Sequence, residues 1–255
     1  MALTTPKGPL GGPDRAGWYS APIDDEIAYL EPHPRRIVAK KDGAVVLDSE
    51  RGLLVHRPNR FLQYAFPAED VGDLPAKPEP EAPGFVRVPW GAVDEWWEEG
   101  RRLESPYPPN PYHRVDCHPT TRRLTVTAAG TTLVDTDDTI IIFETTLAPV
   151  LYVHKDHVRM DLLRPTDSTS WCNYKGRASY WSAVIGDEVV ADVAWSYEAP
   201  LAESAVIAGY LSFDLSKATV DAELPQGWTT GRPSALAQND QSSAASSSSE
   251  DGNAA

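Results

Sequence analysis

Cys172 and Lys175 stand three residues apart in a segment that also holds Tyr180, with Arg159, Asp161, Trp195 and Tyr197 on either side. These residue types suit a small-molecule pocket, in which aromatic walls surround a few polar groups that fix a ligand's orientation. Lys175 precedes Gly176, so a turn there presents its ammonium to an anionic or carbonyl-bearing ligand. A turn or helical conformation also brings the Cys172 sulfur near that ammonium, and a neighbouring cation stabilises a thiolate. Cys172 and Lys175 are therefore the expected reacting pair. Tyr180 and Tyr197 are expected to donate phenolic hydrogen bonds, Trp195 to stack on a planar ligand, and Asp161 to pair with Arg159 or orient Lys175. A second account fits the same residues. Tyr180, Trp181 and Trp195 at alternating strand positions suit the core and rim of a small barrel, because aromatic side chains bury large apolar areas. A Lys-Gly dipeptide is an ordinary hairpin corner, and cysteine is often a small buried apolar side chain.

No metal and no cofactor are expected. Cys117 and Cys172 form no close pair, and His113, His118, His154 and His157 lack the spacing of a zinc ribbon or finger. Two reduced thiols of a cytoplasmic protein are the simpler reading. Asp135, Asp137 and Asp138 are the nearest approach to the spaced carboxylates that hold magnesium on a triphosphate. They lack the preceding glycine pair of such sites and read as a solvated turn.

The elements that must position these residues repeat along the chain. Residues 36–71 align without a gap on residues 123–158, an offset of 87 that sets Arg36 on Arg123, Gly43 on Gly130 and Asp48 on Asp135. Each copy reads as three strands, at 37–41, 44–48 and 53–56 in the first and 124–127, 131–135 and 139–144 in the second. Asp42-Gly43 and Ala129-Gly130 fall where a tight hairpin needs positive φ. A tryptophan strand then precedes a short helix in each copy: Trp90 before 93–99, and Trp195 before 201–208. Adjacent Trp96 and Trp97 cannot both face one side of such a helix, so one is expected on a second surface. Residues 72–84 of the first copy are rich in proline and read as an exposed loop. The second copy has the long segment 159–191 at that place, so chemistry is expected there.

The fold class expected is mainly β: two related small antiparallel half-open β-barrel domains, each with one short helix, at 21–112 and 113–228. Residues 1–20 and 229–255 read as disordered tails, since they offer little to bury against the entropy of ordering them. Apolar residues make up 41 % and charged residues 24 % of 255, ordinary values for a globular protein. A formal net charge of −14 argues against a nucleic-acid partner, which needs a basic surface. No run approaches the ~18 apolar residues of a membrane helix, so no membrane partner is expected. The first residues lack a signal-peptide pattern, which makes the cytoplasm the expected location.

The blocks Asp161-Leu162-Leu163, Cys172-x-Tyr174-Lys175-Gly176-x-Ala178-Ser179-Tyr180-Trp181 and Ala194-Trp195-Ser196-Tyr197 resemble the family catalogued as domain of unknown function 427. The resemblance spans roughly residues 35–224 and implies a tandem two-copy bacterial member whose first copy lacks the Cys-Lys-Tyr segment. Asn173 stands where the family usually has proline after the cysteine, and His154 and His157 replace part of a Pro-Arg-Glu-Asp-Val run that Pro67-Ala68-Glu69-Asp70-Val71 nearly keeps. The resemblance carries a nucleotidyltransferase-like label but no activity to transfer. The leading expectation is binding of a small polar metabolite in the second copy, with its transformation left open. A protein-interaction module is the competing expectation, and the oligomeric state stays open.

Overall fold

The computed structural model describes residues 24, 26–58, 60–145 and 147–226. The tails expected at 1–20 and 229–255 lie outside them. The chain divides into two compact units, with the boundary in sequence between His113 and Arg114.

The first unit runs β1 (Tyr29–His33), β2 (Ile37–Lys41), β3 (Ala44–Ser49), β4 (Gly52–His56), β5 (Gln63–Pro67), β6 (Lys77–Pro78), β7 (Phe85–Arg87), β8 (Glu95–Glu98) and β9 (Arg101–Leu103). They form two antiparallel open sheets, β1-β4-β5-β7-β6 and β3-β2-β8-β9. Between the sheets lies a core that includes Ile37, Leu47, Leu54, Tyr64, Phe66 and Trp96.

The second unit runs β10 (Val115–Thr120), β11 (Leu124–Ala128), β12 (Thr131–Thr136), β13 (Thr139–Glu144), β14 (Val150–His154), β15 (Leu163–Cys172), β16 (Gly176–Ile185), β17 (Glu188–Ser196), β18 (Tyr210–Phe213) and β19 (Thr219–Ala222). A seven-stranded sheet, β10-β13-β14-β18-β17-β16-β15, is joined by the three-stranded β12-β11-β19. The larger sheet is buried on both faces at β13 and β14, because Ile140–Ile142 and Val150–Val153 are unbroken apolar and aromatic runs. Ile141, Leu151 and Val153 enter the core shared with β11 and β12. Ile140, Ile142 and Tyr152 point the other way, into a second cluster with Val115, Tyr197 and Ile207. That period-2 division of the Ile140–Ile142 run creates the face on which the candidate site lies.

Strand bounds recur at the offset of 87: β2 to β5 match β11 to β14 in order and pairing. Asp42 and Gly43 have φ of 50° and 77°, and Ala129 and Gly130 have 45° and 69°. Both central turn residues are left-handed, as a two-residue hairpin twisting with its strands requires. Arg36 pairs with Asp48 across the first hairpin and Arg123 with Asp135 across the second. Both hairpins also slip register at matching places, Ala39/Lys40 and Val126/Thr127.

Several expectations are corrected. Residues 93–99 contain a strand, β8, paired with β2, where a helix was expected. Strand alternation buries Trp96, at 2 % exposure, and turns Trp97 to the opposite face under the Lys40 ammonium, 4.4 Å from its ring centroid. The α-helix of the first unit is instead the single turn Ala68–Val71, and the expected helix at 201–208 is the 3-10 segment Ala202–Ile207. The Trp90 and Trp195 segments are not equivalent. β7 pairs with β5 (Phe66 with Val86) as β18 pairs with β14 (Val153 with Leu211), so β18 is the counterpart of β7. The proline-rich loop supplies β6, two residues beside β7, where the end of β17 lies beside β18. What the second unit adds is therefore the β15–β16 hairpin and most of β17. Each outermost strand of the two larger sheets contains a proline: Pro32 in β1, Pro78 in β6, Pro119 in β10 and Pro165 in β15.

Candidate functional site

The added hairpin carries Lys175 to the outer face of the second unit's large sheet. Cys172 pairs with Gly176 across β15 and β16, leaving residues 173–175 as the connecting turn. Gly176 has φ of +96°, and a Cβ there would lie 3.5 Å from the Ala199 carbonyl oxygen and the Leu201 side chain. The Lys175 carbonyl accepts from Leu201 N–H at 3.1 Å, which pins the turn to the segment before Ala202–Ile207. The Lys175 side chain then runs inward, and its ammonium donates to the carboxylate of Glu144 at the end of β13. The residue is only 8 % exposed. Burial works against the charged ammonium, but Glu144 outweighs it, and the Lys175 pKa is raised. A paired, hydrogen-bonded charge is the form in which a buried lysine persists.

Around this pair Tyr152, Tyr180, Trp195 and Tyr197 wall a cavity of about 360 Å3, with Ile142, Leu147 and Val150 supplying apolar surface. Trp195 Nε1 donates to the Tyr152 hydroxyl at 3.0 Å, and the two rings meet edge to face at 6.5 Å. The Tyr180 hydroxyl is 2.8 Å from Ser170 Oγ. Lys175 Nζ lies 6.0 Å from the Tyr197 ring centroid. Burial pushes the Tyr152 hydroxyl up to about 12 and raises that of Tyr197 as well. At neutral pH Tyr152 and Tyr197 are thus neutral phenols, and the charged side chains lining the cavity are the Lys175–Glu144 pair and Asp214.

The residues singled out in the sequence separate into two places. Lys175, Tyr180, Trp195 and Tyr197 line the cavity. Cys172 packs on the same cluster, half-buried, without lining the cavity. Arg159 and Asp161 lie elsewhere. They pair with each other at 2.7–2.8 Å, both more than half exposed, and Asp161 does not orient Lys175. Two residues apart, they close a local fork at the turn leading into β15, which satisfies both without the pocket. Cys117 lies in β10 opposite Ile142 and packs on the same cluster as Cys172. Burial pushes its thiol up, and the Lys175 charge offsets part of that.

Glu144 and Tyr152 were missed in the sequence. The signal for Glu144 was a carboxylate ending the apolar run Ile140–Ile142, on the same strand face as Ile142. For Tyr152 it was a polar-tipped aromatic amid Val150, Leu151 and Val153.

Among the described residues no three His, Cys, Asp or Glu side chains gather as a metal site. His118 pairs with Asp116, His154 with Asp156 and His157 with Asp138, each on its own. No helix of the described residues is long and apolar enough to cross a membrane. No curated protein matches the chain. Residues 116–225, which contain every side chain that lines the cavity, match the model of a family described as a domain of unknown function, DUF427.

Proposed function

We propose that the second unit binds a small polar metabolite in the cavity above Lys175. The observation that carries this reading is a charged lysine, nearly buried and ion-paired with Glu144, at the base of a hollow walled by four aromatic side chains. The ammonium and the phenol O–H groups can donate to a ligand's acceptors, beside the Glu144 and Asp214 carboxylates that also line the cavity. Ile142, Leu147 and Val150 favour an apolar body, and the ligand class is a small carbonyl- or carboxylate-bearing molecule. Cys172 does not line the cavity, so Lys175 is the group placed to act on that ligand. In this reading the first unit is a related copy without the Cys-Lys-Tyr hairpin, each unit is a half-open barrel, and the protein works in the cytoplasm.

Native mass spectrometry of protein purified from its host tests the reading. A co-purifying small molecule is expected on the native chain and expected to be lost from Trp195→Leu, which keeps an apolar wall but removes the indole. Material without a bound molecule, whose tryptophan emission also stays unchanged across a panel of small carboxylates and ketones, overturns it.

A further inference from the structure

We propose that the first unit has an anion-binding site of its own, independent of the cavity above Lys175. A concavity of about 700 Å3 gathers Arg57, Arg60, Lys77 and Arg87 beside Phe61 and Trp90. The chain as a whole carries a formal charge of −14, so four cations around one hollow stand out against its prevailing sign.

The floor is built before any ligand arrives. Glu79 is 2 % exposed, and its carboxylate lies 2.6 Å from Arg57 Nη2 and 2.9 Å from Arg87 Nε. Burial works against the Glu79 charge, but Arg57 outweighs it and holds the carboxyl below its ordinary range. Two guanidiniums therefore share one buried carboxylate and keep fixed directions, which lowers the cost of ordering them around a ligand. Gln63 accepts from Arg87 Nη1 at 3.2 Å and steadies it further. The rim carries Glu81, 2.9 Å from Arg57, and Glu26, so the lining is not uniformly positive. The Lys77 and Arg60 side chains, by contrast, have no ion pair or hydrogen bond among the described residues. Those two are the cations left to bind something.

The wall indicates what that something is. Phe61 is 52 % exposed and stacked on Tyr107 at 4.8 Å with an 8° interplanar angle, and Trp90 is stacked on Trp96 at 5.1 Å. Rigid flat faces beside unpaired cations fit a small organic anion bearing a phosphate or carboxylate group next to a ring.

Isothermal titration of the full chain at low salt, with pyrophosphate, citrate and phenyl phosphate as probes, tests this. Saturable binding of one equivalent is expected for at least one probe, weakening as salt is raised. Citrate against pyrophosphate reports whether the group is carboxylate or phosphate, and phenyl phosphate reports the ring wall. Combining Arg60→Gln with Lys77→Gln, at side chains that hold no part of the fold, is expected to weaken binding about tenfold or more. Combining Lys40→Gln with Lys41→Gln removes the same charge from another sheet of the unit and is expected to leave affinity within about twofold. Absence of saturable binding by all three probes overturns the proposal, as does an equal loss in both double variants, which indicates only net charge.

Discussion

At matching positions the two units carry ion pairs of opposite polarity. Glu144, in the second, accepts from Lys175; Arg57, 87 residues earlier, holds Glu79. At the turn after the second hairpin strand Arg51 pairs with Asp70 in the first unit, and at the matching positions Asp138 lies 3.1 Å from His157 in the second. The strands, turns and bulges keep their places while the signs exchange. A carboxylate or a cation buried at the end of the third strand needs a partner, whichever sign it has. Each unit recruits that partner from the segment in which they differ most: the β15–β16 hairpin in one, the proline-rich loop in the other. The frame sets where charge is buried, and the variable segment sets what kind of ligand the face suits.

The largest effect expected follows from breaking each pair. Lys175→Met takes the ammonium away from the nearly buried Glu144 carboxylate, a loss of about 3–5 kcal/mol. Arg57→Met leaves Glu79 with Arg87 still beside it, so about half that loss is expected. Urea melts of both variants measure the difference, and adding Glu144→Gln to Lys175→Met should recover most of the loss. Equal losses at the two sites would break the comparison.

Acid should distinguish the units next. In the first, burial lowers the pKa of His56 from 6.5, so the unfolded chain takes up that proton first and stability falls as pH drops below about 6.5. Burial also opposes the Glu98 charge, but His33, Arg35 and Tyr64 outweigh it and hold the carboxyl at about 2. Its contribution, on the order of 3 kcal/mol, is present above pH 4.5 and lost as pH falls toward 2. Amide exchange followed from pH 7 to 4 should show strands β1, β2 and β4 losing protection before β11, β13 and β14. The reverse order would refute this assignment.

A smaller contrast concerns the thiols, which pack on one cluster. Cys172 is expected to alkylate several-fold faster than Cys117 at pH 7, because burial raises the Cys117 thiol. Lys175→Met should slow Cys117 further, because it removes the charge that offsets part of that rise. Iodoacetamide labelling read by peptide mass gives both rates, and equal rates in the native chain would make Cys172 a packing residue. The smallest effect expected is on the second unit when it is expressed alone as residues 111–228. Its melt should stay cooperative and within a few degrees of one transition of the full chain; gradual unfolding would mean that the two units share stability.

Much of the frame was legible because its determinants are local. Positive φ at Asp42-Gly43 and Ala129-Gly130, and the Arg36–Asp48 and Arg123–Asp135 pairs, lie within one hairpin each, and so the offset of 87 exposed them. Trp96 and Trp97 were misread because four residues cannot distinguish a strand from a helical turn, and the strand that decides, β2, lies far away in sequence. Half of the site was visible as the Tyr-Lys-Gly block. The other half was not, since Glu144 is 31 residues from Lys175 and becomes its partner only through sheet order. Arg159 and Asp161 pair with each other, one of the two arrangements expected, but away from the cavity: nearness in sequence to the Tyr-Lys-Gly block did not bring them to it.

The prolines in the outermost strands bear on how this protein meets others. A strand that joins an open sheet needs a row of free N–H donors, and proline interrupts that row. Pro32, Pro78, Pro119 and Pro165 interrupt it at both margins of each larger sheet. These margins are poor templates for self-assembly into fibrils or for the docking of an extended peptide. A protein that recognises either larger sheet is therefore best served by its face, with side chains as the contact and backbone hydrogen bonding as a minor part.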